Sequence, residues 1–356
     1  MRRLLILALL VAALAAAGPA HAKTWVVWAD APSNPPADLK ASVPFLDQYL
    51  PATLQIHVGD KVTFKSNNFH TATFLGSTPR SQMPLLMPDP TSHYSGIVDA
   101  LGVPFWFNGG PPKFIYNPQA FQAVGSPVVA DTAVHSSGNF VFIPKHQYTF
   151  RFTKPGTYKV VCLVHPGMEA KIVVKPKRAK IPTRAKVAAA VLKQLNQSWR
   201  TARSLQSQRP SDPHTVYAGA GDKTALMAFL PRTLTVPAGT TVTWIENSPT
   251  EVHNVSFGDE AYITQLTDTL DQFPAAPGAP NQVNPFTVFG SEPPGAPYVY
   301  TGSNHGNGFL ATPTIDKDPN SPPGESFSVT FSKPGTYHYI CMIHGKDMAG
   351  EIIVTG

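Results

Sequence analysis

The chain of 356 residues carries a formal net charge of +6, and only 14% of its residues are charged, against 37 prolines, 26 glycines and two cysteines. That balance excludes a charge-rich disordered chain and points to a turn-rich β protein rather than a helical one. No basic stripe interleaved with aromatic residues supports a nucleic-acid partner.

Met1, Arg2 and Arg3 precede an apolar run from Leu4 to Ala17, followed by Gly18, Pro19 and the small-residue site Ala20-His21-Ala22. This pattern predicts a signal peptide over residues 1–22, cut after Ala22, and hence a secreted or periplasmic protein. The run falls short of the ~20 apolar residues that a membrane helix needs, and no later stretch approaches that length, so no membrane span is expected. The remainder is long enough for two domains, each with its own core.

Residues 23–176 form the first expected domain. Leu54, Ile56 and Val58 alternate with polar neighbours, and Val62 and Phe64 resume the period of two after a turn at Gly59. In "HTATF", His70, Ala72 and Phe74 share a strand face. A Gly/Pro/aromatic-rich insertion without recognisable motif follows, from Leu75 to Asn139. Beyond the turn signal at Lys154-Pro155-Gly156 comes a strand that puts Tyr158, Val160 and Cys162 on one face. It runs into "CLVHPGM", with His165 and Met168.

Residues 177–213 form the expected linker. It is basic and proline-punctuated at first, after which Val187, Val191, Leu195 and Trp199 recur at four-residue spacing behind a Thr183 N-cap. One helix is predicted, laying its apolar stripe on a domain. The alternative use of its basic face is docking on an anionic partner.

Residues 214–356 repeat the first domain. "LPRTLTVPAGTTVTWIENS" aligns without gaps on "LPATLQIHVGDKVTFKSNN", and "FSKPGTYHYIC" on "FTKPGTYKVVC". His253, Val255 and Phe257 share a face, as do Tyr337, Tyr339 and Cys341, and "CMIHGKDM" supplies His344 and Met348. A second insertion spans Gly258 to Glu325. Repetition at this length means two copies of one domain rather than a solenoid. The expected fold is all-β, two tandem antiparallel β-sandwiches joined by a linker helix.

Each copy therefore aims one histidine and one cysteine inward from different strands, with a second histidine and a methionine in the following loop. Two imidazoles, a thiolate and a weak thioether are the donor set that suits copper cycling between two oxidation states. A disulfide between Cys162 and Cys341 would need Cα atoms within ~7 Å, which two separate domain interiors do not favour. Zinc is disfavoured because a thioether is a poor zinc ligand.

These residues resemble the cupredoxins, the plastocyanin- and amicyanin-like blue copper proteins, over most of both copies apart from the insertions. The resemblance implies Greek-key sandwiches and one type 1 copper per domain. The ligands would be His70, Cys162, His165 and Met168 in the first, and His253, Cys341, His344 and Met348 in the second. It further implies an electron carrier without catalytic residues, passing electrons to a redox partner protein through partly exposed edges of His165 or His344. Two departures stand out. The Asn that follows the first ligand histidine is present as Asn254 but replaced by Thr71, so the bonding that pins the first ligand loop is expected to differ. The loop before Met348 is one residue longer than that before Met168.

Two rival functions carry signatures of their own. A copper enzyme of the nitrite reductase or multicopper oxidase kind is expected to carry His-x-His pairs or a histidine just before the copper cysteine, where this chain has Val161 and Ile340. Copper storage or delivery, or a scaffold module, would want a more open coordination shell. His135 and His305, at similar places in the two insertions, read as loop-packing residues, with extra ligands as the alternative.

Overall fold

The computed structural model describes residues 22–274, 281–317 and 324–356. The signal peptide expected over residues 1–22 lies, apart from Ala22, outside the described residues. Among the described residues no helix is long and apolar enough to cross a membrane.

Alternation of side chains builds two β-sandwiches. In the first, one sheet runs in the order Tyr49–Leu50, Thr24–Ala29, Lys61–Lys65, Gln147–Phe152 and Val128–Val129. The other runs His135–Asn139, Thr71–Phe74, Gly156–Val161, Glu169–Lys175 and Thr53–His57. Between them lies a core that includes Leu54, Phe64, Phe74, Phe150, Val160 and Cys162. The second sandwich repeats this around Trp244, Phe257, Phe331, Tyr339 and Cys341. The inward parity read from the strands thus holds for both cysteines, which are buried and free.

The sheets are not purely antiparallel. Thr24–Ala29 pairs parallel with Lys61–Lys65, and Glu169–Lys175 parallel with Thr53–His57. The second sandwich has the same parallel pairs, Thr215–Gly221 with Thr241–Glu246 and Thr233–Pro237 with Gly345–Thr355. Parallel neighbours cannot be joined by a hairpin, and here the chain crosses to the opposite sheet between them.

Three devices tie the sandwiches together. The short strand Pro44–Phe45, from the first half of the sequence, is the edge strand of a sheet of the second, paired with Ala225–Leu230. The helix Arg184–Leu205 begins at Thr183, whose hydroxyl accepts from the Lys186 N–H at 3.3 Å. Its stripe does not lie on one domain. Leu195, Trp199 and Leu205 pack with Leu50 of the first half and with Leu226 and Leu230 of the second, wedging the seam.

The insertions form the third device, because each crosses to the other half. Tyr94, Phe105 and Phe107 from the first insertion pack with Phe286 and Phe309 of the second, against Met342 beside the second cysteine. Conversely Val283 and Phe273 reach the cluster that contains Leu163, beside the first cysteine. Backbone bonds stitch the two insertions directly, Tyr116 N–H to the Asn281 carbonyl at 2.6 Å and Val283 N–H to the Phe114 carbonyl at 2.8 Å.

Phe105 and Phe286 meet edge to face with ring centroids 4.7 Å apart. Phe105→Ala and Phe286→Ala should each cost ~3–5 kcal/mol of unfolding free energy in urea titrations. The double variant should cost less than the sum by ~0.5–1.5 kcal/mol, the worth of an aromatic pair. Strict additivity would mean that these rings do not join the two halves.

Candidate metal centres

Cys162 directly follows the strand Gly156–Val161, and His70 directly precedes the neighbouring strand Thr71–Phe74, so backbone pairing alone sets thiol and imidazole side by side. The loop after Cys162 folds back tightly. Cys162 N–H donates to the Met168 carbonyl at 3.0 Å, and Met168 N–H to the His165 carbonyl at 3.3 Å, which returns the His165 ring toward the sulfur. His70 Nδ1 and His165 Nδ1 lie 3.0 Å apart, and Cys162 Sγ lies 3.8 and 3.7 Å from them. In the second half His253 Nδ1 and His344 Nδ1 are again 3.0 Å apart, with Cys341 Sγ 3.5 Å from His344 Nδ1. All six predicted histidines and cysteines are thereby collected into two triads. Met168 and Met348 are buried in the same apolar cores as their cysteines.

Such spacings suit donors sharing one small cation. Bonds of ~2.0–2.3 Å to nitrogen and sulfur hold their donor atoms roughly 3–4 Å apart. The electrostatics agree. Burial lowers His70 to about 3 and holds His165 and His253 well below the usual imidazole range, so these rings are neutral and ready to ligate. Burial pushes the Cys162 thiol up. Its thiolate therefore needs a cation beside it, and a soft one among imidazoles and sulfur.

The two sulfurs receive matching backbone bonds, from Thr71 N–H to Cys162 Sγ and from Asn254 N–H to Cys341 Sγ, each 3.5 Å. The change of residue type alone does not remove the bond that pins the first loop. Thr71 Oγ1 accepts from Leu163 N–H at 2.9 Å, and Asn254 Oδ1 accepts from Met342 N–H at 2.7 Å, so hydroxyl and amide do the same work on the residue after the cysteine. The first loop gains a further clamp from Arg80, whose guanidinium donates to the Cys162 and Leu163 carbonyls. In the second half Gly219, at φ +71, makes room for the first histidine, since a Cβ there would stand 2.3 Å from His253 Nε2.

The expectation of open histidine edges is corrected at His165. Its side chain is only 6% exposed, because the two ligand loops face each other across the seam. Glu251 stands between them, Oε1 3.5 Å from His165 Nε2 and Oε2 3.4 Å from His344 Nε2. Asp47 Oδ1 lies 3.5 Å from His165 Nδ1. Phe45, on the exchanged strand, covers both histidines of the first triad with ring centroids 5.1 and 5.6 Å away. The His344 side chain keeps 20% exposure. Burial raises Asp47 and Glu251 above the usual carboxyl range, and the Glu251 charge raises Asp47 further. Sequence reasoning missed Phe45, Asp47, Arg80 and Glu251. Only Glu251 carried a signal, an acid two residues before a predicted ligand.

His135 and His305 lie outside both triads and serve their loops. His135 bonds the Ser126 carbonyl at 2.7 Å and Asp131 at 2.9 Å. His305 ties Glu292 to Asp99 of the other insertion at 2.9 and 3.3 Å. Burial alone would lower His305, but these two acids raise it.

Residues 215–355 match the model of the copper binding proteins of the plastocyanin/azurin family. Among solved structures, amicyanin from Paracoccus versutus (Thiobacillus versutus) is 20% identical, with 42% of this chain and 89% of that chain covered and a TM-score of 0.23. A Cu(I) form of an amicyanin mutant is 21% identical, with 42% and 90% covered and a TM-score of 0.22. The family match over residues 215–355, together with the two His/Cys/His triads, supports copper binding.

A third seam acid gives a test of these electrostatics. Asp30, at φ 86, is raised by burial from 3.8 to about 7. An acid whose folded value is raised loses stability as pH climbs from its unfolded value through its folded one, here from 3.8 to about 7. Asn tolerates the same backbone region. Metal-free Asp30→Asn should therefore match the wild type near pH 4 and exceed it at pH 8 by on the order of a few kcal/mol, read from urea unfolding. Equal pH slopes would refute this.

Proposed function

We propose, on the premise that residues 215–355 form a cupredoxin unit and that residues 23–176 are its duplicate, that the protein is an extracytoplasmic one-electron carrier with one type 1 copper in each half. Copper, when bound, supplies one-electron cycling between its cuprous and cupric states. The observation that carries the reading is the repeated triad with Nδ1 atoms 3.0 Å apart in both halves. His70, Cys162 and His165, and His253, Cys341 and His344, would be the strong ligands. Met168 and Met348 would be the weak axial donors.

The remaining residues hold these donors still. Thr71 and Asn254 lock the residue after each cysteine, and their backbone N–H groups bond the sulfur, an arrangement that tunes the potential of a thiolate-bound metal. The apolar cores around Cys162 and Cys341 exclude water. Enclosed donors favour electron transfer over copper delivery, which needs a labile shell. No catalytic residues are assigned. The electron exchange is with a redox partner protein, and the leader-like N-terminus argues for work outside the cytoplasm.

Visible and EPR spectra of the copper-loaded protein test the reading. Two coppers should bind per chain and give intense blue absorption, and Cys162→Ser and Cys341→Ser should each abolish one blue centre while leaving the other. A colourless copper-loaded protein, or one serine variant removing both centres from a folded chain, would overturn it.

A further inference from the structure

The proposed carrier function leaves Glu251 unused. Its side chain is only 4% exposed and lies between the two ligand loops, with one carboxylate oxygen on each outer histidine nitrogen at 3.5 and 3.4 Å. The Nδ1 atoms of the same rings face their cysteines, so Glu251 contacts the far side of each. A buried acid is costly unless something uses it. The triads are thereby connected through ring, carboxylate and ring.

We propose that Glu251 is the bridge through which the two metal centres exchange an electron, making them one two-site redox unit. The inference rests on the proposed type 1 sites. In the step, a cuprous centre is oxidised to cupric and the cupric centre of the other half is reduced to cuprous. One electron moves, no bond is broken, and Glu251 ends unchanged. Three features commit the fold to this use of the seam. Phe45 roofs the first histidine pair, the His165 edge is closed to solvent, and the insertions fasten each half over the loop of the other. Glu251 acts through the histidines and is a positioning residue.

The test uses copper-loaded full-length wild type, Glu251→Gln and Glu251→Ala. Visible and EPR spectra first establish two blue centres in each, with bands assigned from Cys162→Ser and Cys341→Ser. Missing blue centres in the wild type would overturn the carrier reading and with it the bridge. With both present, a pulse of a reducing radical places less than one electron per molecule, and absorbance and freeze-quench EPR follow its redistribution. The bridge predicts a phase independent of protein concentration in the wild type, slowed in Glu251→Gln and lost in Glu251→Ala while both site spectra stay unchanged. Two blue centres with only concentration-dependent exchange in the wild type would overturn the bridge alone, as would wild-type exchange in Glu251→Ala. Should Glu251→Ala fold poorly, the Gln variant decides by the same readout.

Discussion

Closure of the two ligand loops against each other is the constraint on which the rest of the molecule depends. The outer rings of the two triads, His165 and His344, both turn toward a common carboxylate, Glu251. Bringing two such ends together removes apolar loop surface from water, but it also buries Asp30, Asp47 and Glu251, each pushed toward its neutral form. Burying those acids opposes association. The attachments between the halves must outweigh that penalty, and they do so by apolar packing placed outside the polar centre.

That requirement explains the arrangement of the attachments. The exchanged strand Pro44–Phe45 adds backbone bonds and sets an aromatic ring over the first triad in one step. The helix fills the groove on one side of the seam with Leu195 and Trp199. The insertions add apolar packing of their own, each joining the cluster that holds the residue after the opposite half's cysteine, Met342 or Leu163. Long insertions without a recognisable motif in the sequence are structural members.

What the sequence disclosed follows from the range of the forces involved. Strand parity and Cys-x-x-His spacing are local, so Cys162, His165, Cys341 and His344 were legible, and the same strand parity picked out His70 and His253. The N-cap at Thr183 was local too, and the helix begins after it. Parallel pairing and the crossing of the insertions depend on non-local contacts, from Thr24 with Lys61 to Tyr116 with Asn281, for which no spacing rule exists. Asp47 and Glu251 belong to different halves, and nothing in either segment tells that they meet beside His165. At Thr71 the change of residue type from the second half's Asn254 conserves the pinning bond. What the loop requires is an acceptor position rather than a residue type, and a hydroxyl at the end of a short side chain reaches the Leu163 N–H as well as an amide reaches Met342.

Duplication with face-to-face closure also makes the halves unequal, although their triads match. His165 retains 6% side-chain exposure and His344 retains 20%, while Phe45 packs on the rings of the first triad. Cover of this kind lowers the dielectric around the first site and leaves the second nearer to water, and solvent access is one of the levers by which a protein sets a metal's potential. Identical donor sets in unequal surroundings are thus expected to differ in potential. In the proposed carrier, that inequality of burial would by itself give electron exchange across the seam a direction, without any difference in the donor residues.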